Sequence, residues 1–420
     1  MSRVAEAPTS IRLWFSETPE LRFSSIELVD SAGAVIPLGP LAVGGSMSIS
    51  AAIRRPLGAG RYSIAWRTAS SDGHSTNGRF TFIVASAADS TVATAPAPSS
   101  GNQPTSGTRN ANAPIRLGRS TMFTLPVRWA ELVAAMVLVG AVVFRLFVLP
   151  AAQWPVHEVA DASDRARRLA ASVAMLFLAA SLTRLVGQSD LAMTESVSRG
   201  AAILSTMRYT RWGHGWTFSA AGAVIALTGF FVARTARSAW ILAGLGAVAV
   251  CVGEAMTGHP GAMGGQAPLA VAVDVAHFLS AGGWLGGLTC VLLCGLPALH
   301  ALDEGARAAA GGRLVRTYHR TAMECVLLTI LTAVIAAFLR FPTMSDLWTT
   351  EYGLALLRKI VVVVIVLAFG FFHWRRAVVR DWSAKTPNRF RISATLELLA
   401  GAVVIALTAV LISTALPPIQ

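Results

Sequence analysis

The chain has 420 residues, and only 14% of them are charged, against about 25% in an average soluble domain. A mean hydropathy of +0.57 excludes a wholly soluble protein. The formal net charge of +13 invites a nucleic-acid reading, but the basic residues fall mainly between apolar runs, as topogenic charge does in a membrane protein. Cys251, Cys290, Cys294 and Cys325 all lie inside apolar runs, so they form neither a zinc-type cluster nor a secreted disulfide framework.

Residues 1–86 alternate. Ile11-Leu13-Phe15, Ile26-Leu28, Met47-Ile49-Ala51, Tyr62-Ile64-Trp66 and Phe80-Phe82-Val84 place apolar side chains two apart, the period of a strand with one buried face. Asp30-Ser31-Ala32-Gly33, Gly39-Pro40, Pro56-Leu57-Gly58 and Ser71-Asp72-Gly73-His74 punctuate the runs as turns. Short strands at this spacing predict a small antiparallel β-sandwich. Residues 87–124 are Ala, Ser, Thr, Pro, Gly and Asn with few large apolar side chains, so they cannot offset their own ordering entropy and are expected to form a flexible tether.

Residues 125–420 carry long apolar runs. About eight membrane helices are expected, with cores at 127–149, 169–187, 216–233, 239–257, 268–297, 321–340, 354–374 and 393–415, each near the roughly 20 residues needed to cross the hydrocarbon core. The stretch 190–215 is too polar to span and is expected to lie along the interface. Charge supplies the orientation. With the sandwich outside, the inner loops hold Arg165, Arg167, Arg168, Arg234, Arg237, Arg307, Arg313, Arg316, Arg320, Arg375, Arg376, Arg380, Lys385, Arg389 and Arg391. The outer loops hold Arg199, Arg208 and Arg211. Fifteen against three is a positive-inside bias that puts the sandwich and both chain ends outside.

The run Gly60-Arg61-Tyr62-Ser63-Ile64-Ala65-Trp66-Arg67, through Asp72-Gly73-His74 to Gly78-Arg79-Phe80-Thr81-Phe82, resembles the end of CopC, a periplasmic copper-binding, immunoglobulin-like β-sandwich. Ile11-Arg12-Leu13-Trp14-Phe15 is similar to its early strand. The second half resembles CopD, its membrane partner, at Thr210-Arg211-Trp212-Gly213, at Ala276-His277-Phe278 with Gly282-Gly283-Trp284-Leu285-Gly286-Gly287, at Thr350-Glu351-Tyr352-Gly353, and at Arg391-Ile392-Ser393 with Glu397. The resemblance implies a CopC–CopD fusion of a bacterial inner membrane, acting in copper resistance or acquisition, with copper ions and the lipid bilayer as partners.

In CopC-like domains the Asp and His of this loop help to bind Cu(II), which makes Asp72 and His74 candidate ligands here. Carboxylate oxygen and imidazole nitrogen suit tetragonal Cu(II), and Gly73 lets the loop turn both toward one ion. The family's amino-terminal histidine and part of its first strand are missing, and no signal peptide opens the chain. One start assigned too far downstream would explain all three, so the functional protein is expected to begin upstream of Met1.

In the membrane half, ionisable groups at depth are costly and mark function. Asp274 and His277 are three apart on one helix face. Glu254, Met256, His259, Met263 and His214 gather near the outer ends of neighbouring runs, where imidazole and thioether suit copper, the thioether favouring Cu(I). Cys290 and Cys294 share a face but read better as small apolar residues, and the paired glycines 282–283 and 286–287 read as a packing surface. No Walker A motif or catalytic triad is present, so neither an enzyme nor an ATP-driven pump is expected. The competing reading is a haem-binding membrane electron-transfer protein with histidine axial ligands. The Asp72 loop and the methionines have no role in it.

Overall fold

The computed structural model describes residues 2–4, 6–15, 19–45, 47–69, 75–85, 119–190, 198–341, 343–379 and 386–414. They form two compact units, one of strands and one of helices.

The strand unit has two sheets. One orders β1 (Ser2–Val4), β8 (Ser75–Val84), β7 (Gly60–Ala69), β3 (Ser25–Asp30) and β4 (Val35–Ile36), and the other β2 (Ser10–Trp14), β6 (Ser48–Ala52) and β5 (Ala42–Val43). The alternation sets which faces close on each other. Leu28 pairs with Ile64 on one side and Ile36 on the other, and these three join Ile11, Tyr62, Phe82 and Val84 in one core. The pairing is antiparallel except between β1 and β8, which run parallel with Arg3 opposite Ile83. Strands β1, β4 and β5 are two or three residues long, too short for a period of two to declare itself. The alternation overreaches at Phe80, which is 43% exposed.

Trp66 faces Gly78 across the β7–β8 pair. A Cβ at Gly78 would stand 2.7 Å from the indole, so only glycine leaves room for Trp66 to lie over the strand and meet Phe15 edge-on at 5.5 Å. That contact accounts for the Trp and Gly of the CopC-like run. The β7–β8 ladder ends at Ala69 opposite Ser75. Asp72 and His74 lie between them, outside the described residues.

Eight helices in the helical unit are long and apolar enough to cross a membrane: α1 (Leu125–Ala151), α2 (Val156–Ser189), α4 (Arg211–Val232), α5 (Ala239–Met256), α6 (Ala267–Ala298), α7 (Glu304–Arg340), α8 (Glu351–Phe371) and α9 (Phe390–Ile412). Between α2 and α4 lies α3 (Arg199–Tyr209), whose 11 residues are too few to span. Large apolar side chains such as Leu327, Leu331 and Phe338 on α7 and Val361 and Val364 on α8 are exposed, the surface that a lipid environment would cover.

Two helices start well before their expected apolar cores. α2 begins at Val156 because Asp161–Arg165, Asp164–Arg167 and Asp164–Arg168 pair along one helix face at spacings of three and four. α7 begins at Glu304 behind Asp303, whose carboxylate caps the Ala306 N–H at 2.8 Å. Helix also reaches back to Arg119, inside the stretch expected as tether.

α1 and α6 touch backbone to backbone. A Cβ at Gly286 would lie 2.0 Å from the Met136 carbonyl oxygen, and one at Gly140 would lie 2.0 Å from the Gly286 carbonyl carbon. α6 takes π-helical turns at Gly282–Gly286 and Val291–Gly295. A π turn rotates the side chains that follow it, and it commonly occurs where a helix serves a site.

Candidate functional site

Four charged side chains meet inside the helical unit. Arg128 and Glu131 come from α1, Arg184 from α2 and Glu254 from α5. Arg128 bonds the Glu254 carboxylate and stands 3.3 Å from Glu131. Arg184 bonds Glu131 and stands 3.5 Å from Glu254. Both guanidinium groups therefore bridge both carboxylates, and the quartet is formally neutral. Glu131 is fully buried, and the Trp212 ring lies over Arg184 at 5.2 Å. In a low-dielectric interior this arrangement is stable only while all four members stay paired.

Trp212 reaches Arg184 because Thr210 starts α4 with its hydroxyl accepting from the Gly213 N–H at 2.8 Å. The same device opens α8, where the Thr350 hydroxyl accepts from the Gly353 N–H at 3.0 Å. There the aromatic is Tyr352, edge-on to the buried His259 at 5.8 Å. Thr-x-aromatic-Gly thus does the same work at both CopD-like motifs: a cap, a placed ring, and a glycine where the preceding helix comes close.

A polar seam runs between α6 and α7. At one end the Arg340 guanidinium donates to Asp274 at 2.7 Å, and Lys359 of α8 stands within electrostatic range of both. One turn along, His277 Nδ1 meets the Thr332 hydroxyl at 3.1 Å. That hydroxyl lies 2.8 Å from the Leu328 carbonyl and 3.0 Å from the Thr329 carbonyl, to which it gives its only hydrogen. It therefore accepts from His277. Nδ1 is thus the ring nitrogen that faces Thr332, and the imidazole also bonds the Thr329 backbone. Next, Thr329 donates to Ser280 at 2.8 Å, and a Cβ on Gly283 would meet the Cys325 sulfur at 2.7 Å. The seam ends where the Tyr318 hydroxyl donates to the Trp284 carbonyl at 2.9 Å and the Trp284 indole donates to Glu397 of α9 at 3.0 Å.

The sequence candidates fall into separate places. Glu254 belongs to the arginine quartet. Asp274 and His277 share the seam, on one face as their spacing predicts. His259 opens a short helical turn, His259–Ala262, beside Tyr352. Met256 and Met263 are half-buried nearby in sequence, and the exposed His214 donates Nε2–H to the Arg208 carbonyl at 2.9 Å. Cys290 and Cys294 are buried in the apolar core of α6. Among the described residues no three His, Cys, Asp or Glu side chains gather as a metal cluster. Sequence reasoning passed over Arg128, Glu131 and Arg184, although an i, i+3 charge pair inside an apolar run was a visible sign of a buried network. It also passed over His319 and used Glu397 only as part of a motif.

Residues 1–85 match the family model described as CopC domain, residues 120–269 that of copper resistance protein D-like, N-terminal domain, and residues 312–411 that of copper resistance protein D. The chain is 24% identical over 429 residues to the copper transport protein CutJ of Bacillus subtilis (strain 168), covering 99% of this chain and 72% of that protein. Among solved structures it is similar to CopC from Methylosinus trichosporium OB3b, at 28% identity over 20% of this chain and 81% of that one, TM-score 0.19. It is also similar to the copper resistance protein PcoC from Escherichia coli, at 31% identity over 20% of this chain and 88% of that one, TM-score 0.19. The chain therefore joins a CopC domain to the two domains of the copper resistance protein D family in one polypeptide, related to proteins of copper resistance and transport.

Proposed function

We propose that this protein binds copper outside a bacterial inner membrane and carries it inward through the helical unit, contributing to copper resistance or acquisition. The strand unit takes up Cu(II) at Asp72 and His74, and both chain ends lie on the outer side. Copper then enters beside Asp274 and His277, with His259, Met256, Met263 and His214 around the approach. The observation that carries this reading is the placing of Asp274 and His277 on one face of α6, along the seam with α7. With Nδ1–H given to Thr332, the His277 ring would offer Nε2 as the ligating nitrogen.

The number of direct partners, and not net charge, distinguishes the two carboxylates. Glu254 is held by two arginines. Asp274 has one direct partner, and Arg340 is the last residue of α7, where a long side chain can swing to the interface. Copper entering at Asp274 has one arginine to displace and not two, with Lys359 remaining nearby. Glu254 then serves as part of the helix-pinning quartet.

Copper accumulation by cells expressing the full chain tests the reading. His277→Ala is expected to bring accumulation down to the vector level at equal membrane insertion, and Asp274→Asn to do the same. Accumulation by His277→Ala equal to the parent would return the pair to a structural role. For the outer domain, Asp72→Ala or His74→Ala in the full-length protein is expected to weaken Cu(II) binding by roughly tenfold or more. Superimposable Cu(II) titrations of mutant and parent would retire those two residues as ligands.

A further inference from the structure

The seam between α6 and α7 leads to a partly open cavity of about 320 Å³ lined by α6, α7, α8 and α9. Its walls are mainly apolar, but Glu397, His319 and Met323 line it together, with Trp284 and Tyr318 at the seam's end. His319 precedes Arg340 by 21 residues on one continuous helix, about 30 Å along the axis and close to the thickness of a hydrocarbon core. The cavity therefore lies toward the opposite membrane face from the Asp274–Arg340 pair.

Glu397 differs from the acids of the quartet and of the seam. Glu131, Glu254 and Asp274 each bond an arginine. Glu397 is held by the neutral Trp284 indole, and among the described residues no guanidinium or ammonium pairs with it. A carboxylate at membrane depth costs several kcal/mol without a countercharge. A space large enough for an ion adjoins it, and that space is lined by the two side chains best suited to copper. His319 and Met323 are four apart on α7 and so share a face. Imidazole nitrogen, thioether sulfur and one carboxylate oxygen form a mixed donor set that accepts Cu(I), and the carboxylate balances its single charge.

We infer that Glu397, His319 and Met323 form a second, inner copper station, where Cu(I) rests after passing along the seam. The inference rests on the transport reading above and assigns the far end of its path. Trp284 and Tyr318 are positioning residues: the Tyr318 hydroxyl fixes the Trp284 backbone, and the Trp284 indole holds one carboxylate oxygen of Glu397 in place.

The test is Cu(I) binding by the purified full-length protein in lipid nanodiscs, under reductant and against a competing Cu(I) chelator. Glu397→Gln keeps an acceptor for the Trp284 indole, and Met323→Leu conserves volume, so both variants are expected to fold. Each, like His319→Gln, should bind one fewer Cu(I) per chain than the parent, and Met323→Leu should lower the sulfur contribution to the copper X-ray absorption spectrum. Parent-like Cu(I) stoichiometry in all three variants would overturn the station and leave the cavity as a site for an apolar molecule. Parent cells that accumulate no copper would count against the transport reading instead. Normal accumulation by the parent with unchanged binding in the three variants removes the inner station alone.

Discussion

Glu131→Ala is expected to destabilise the helical unit by about 3–5 kcal/mol, because it leaves two buried guanidinium groups sharing one carboxylate. Glu131 is fully buried, so water cannot take over the lost contacts. α1, α2 and α5 would then be held by apolar packing against the repulsion of two like charges. The measurement is the midpoint of thermal unfolding of the detergent-solubilised protein. A charge-balanced double variant, Arg128→Leu with Glu131→Leu, should recover much of the loss, since a buried pair replaced by apolar side chains is often neutral or stabilising. If the single and double variants melt together below the parent, charge pairing is not what holds these helices, and packing around Glu131 is.

Gly286→Leu is expected to cost at least about 3 kcal/mol, at the upper end of overpacking, and to cut the yield of folded protein sharply. The cause is the α1–α6 contact, where any Cβ at this position would lie 2.0 Å from the Met136 carbonyl oxygen. Backbone cannot yield as a flexible side chain can, so the helices must part. Trp284 sits two residues earlier in the same π turn, and its bond to Glu397 should be disturbed with them. Gly187→Leu on α2 is the control, since a Cβ there meets nothing within 4 Å. That substitution should be tolerated and gain a little helix propensity. Equal yields and equal melting of the two variants would mean that α1 and α6 do not depend on this contact.

Much of this protein was legible without a fold. The two-residue period of Leu28, Ile64, Phe82 and Val84 predicted which strand faces become core, because strand geometry alone alternates side chains. The apolar runs predicted eight spans because a bilayer sets a length that sequence must meet. The placing of Asp274 and His277 on one face followed from helical spacing. The paired glycines 282–283 and 286–287 were readable as a packing surface, and Gly286 lies against α1 as that reading requires. The CopC-like and CopD-like motifs, in their order, were readable because they are short stretches of local chemistry.

Tertiary structure alone decided who pairs with whom. Glu254 is a plausible ligand by sequence until Arg128 and Arg184, 126 and 70 residues away along the chain, arrive from two other helices and neutralise it. Nothing in the spacing of α7 says that Thr332 meets His277, or that Trp284 turns toward Glu397 across the bundle. Sequence fixes periodicity within an element because covalent geometry repeats. The partner of a buried charge depends on how helices distant in sequence cross, and that crossing is set by backbone contacts such as Gly140 against Gly286.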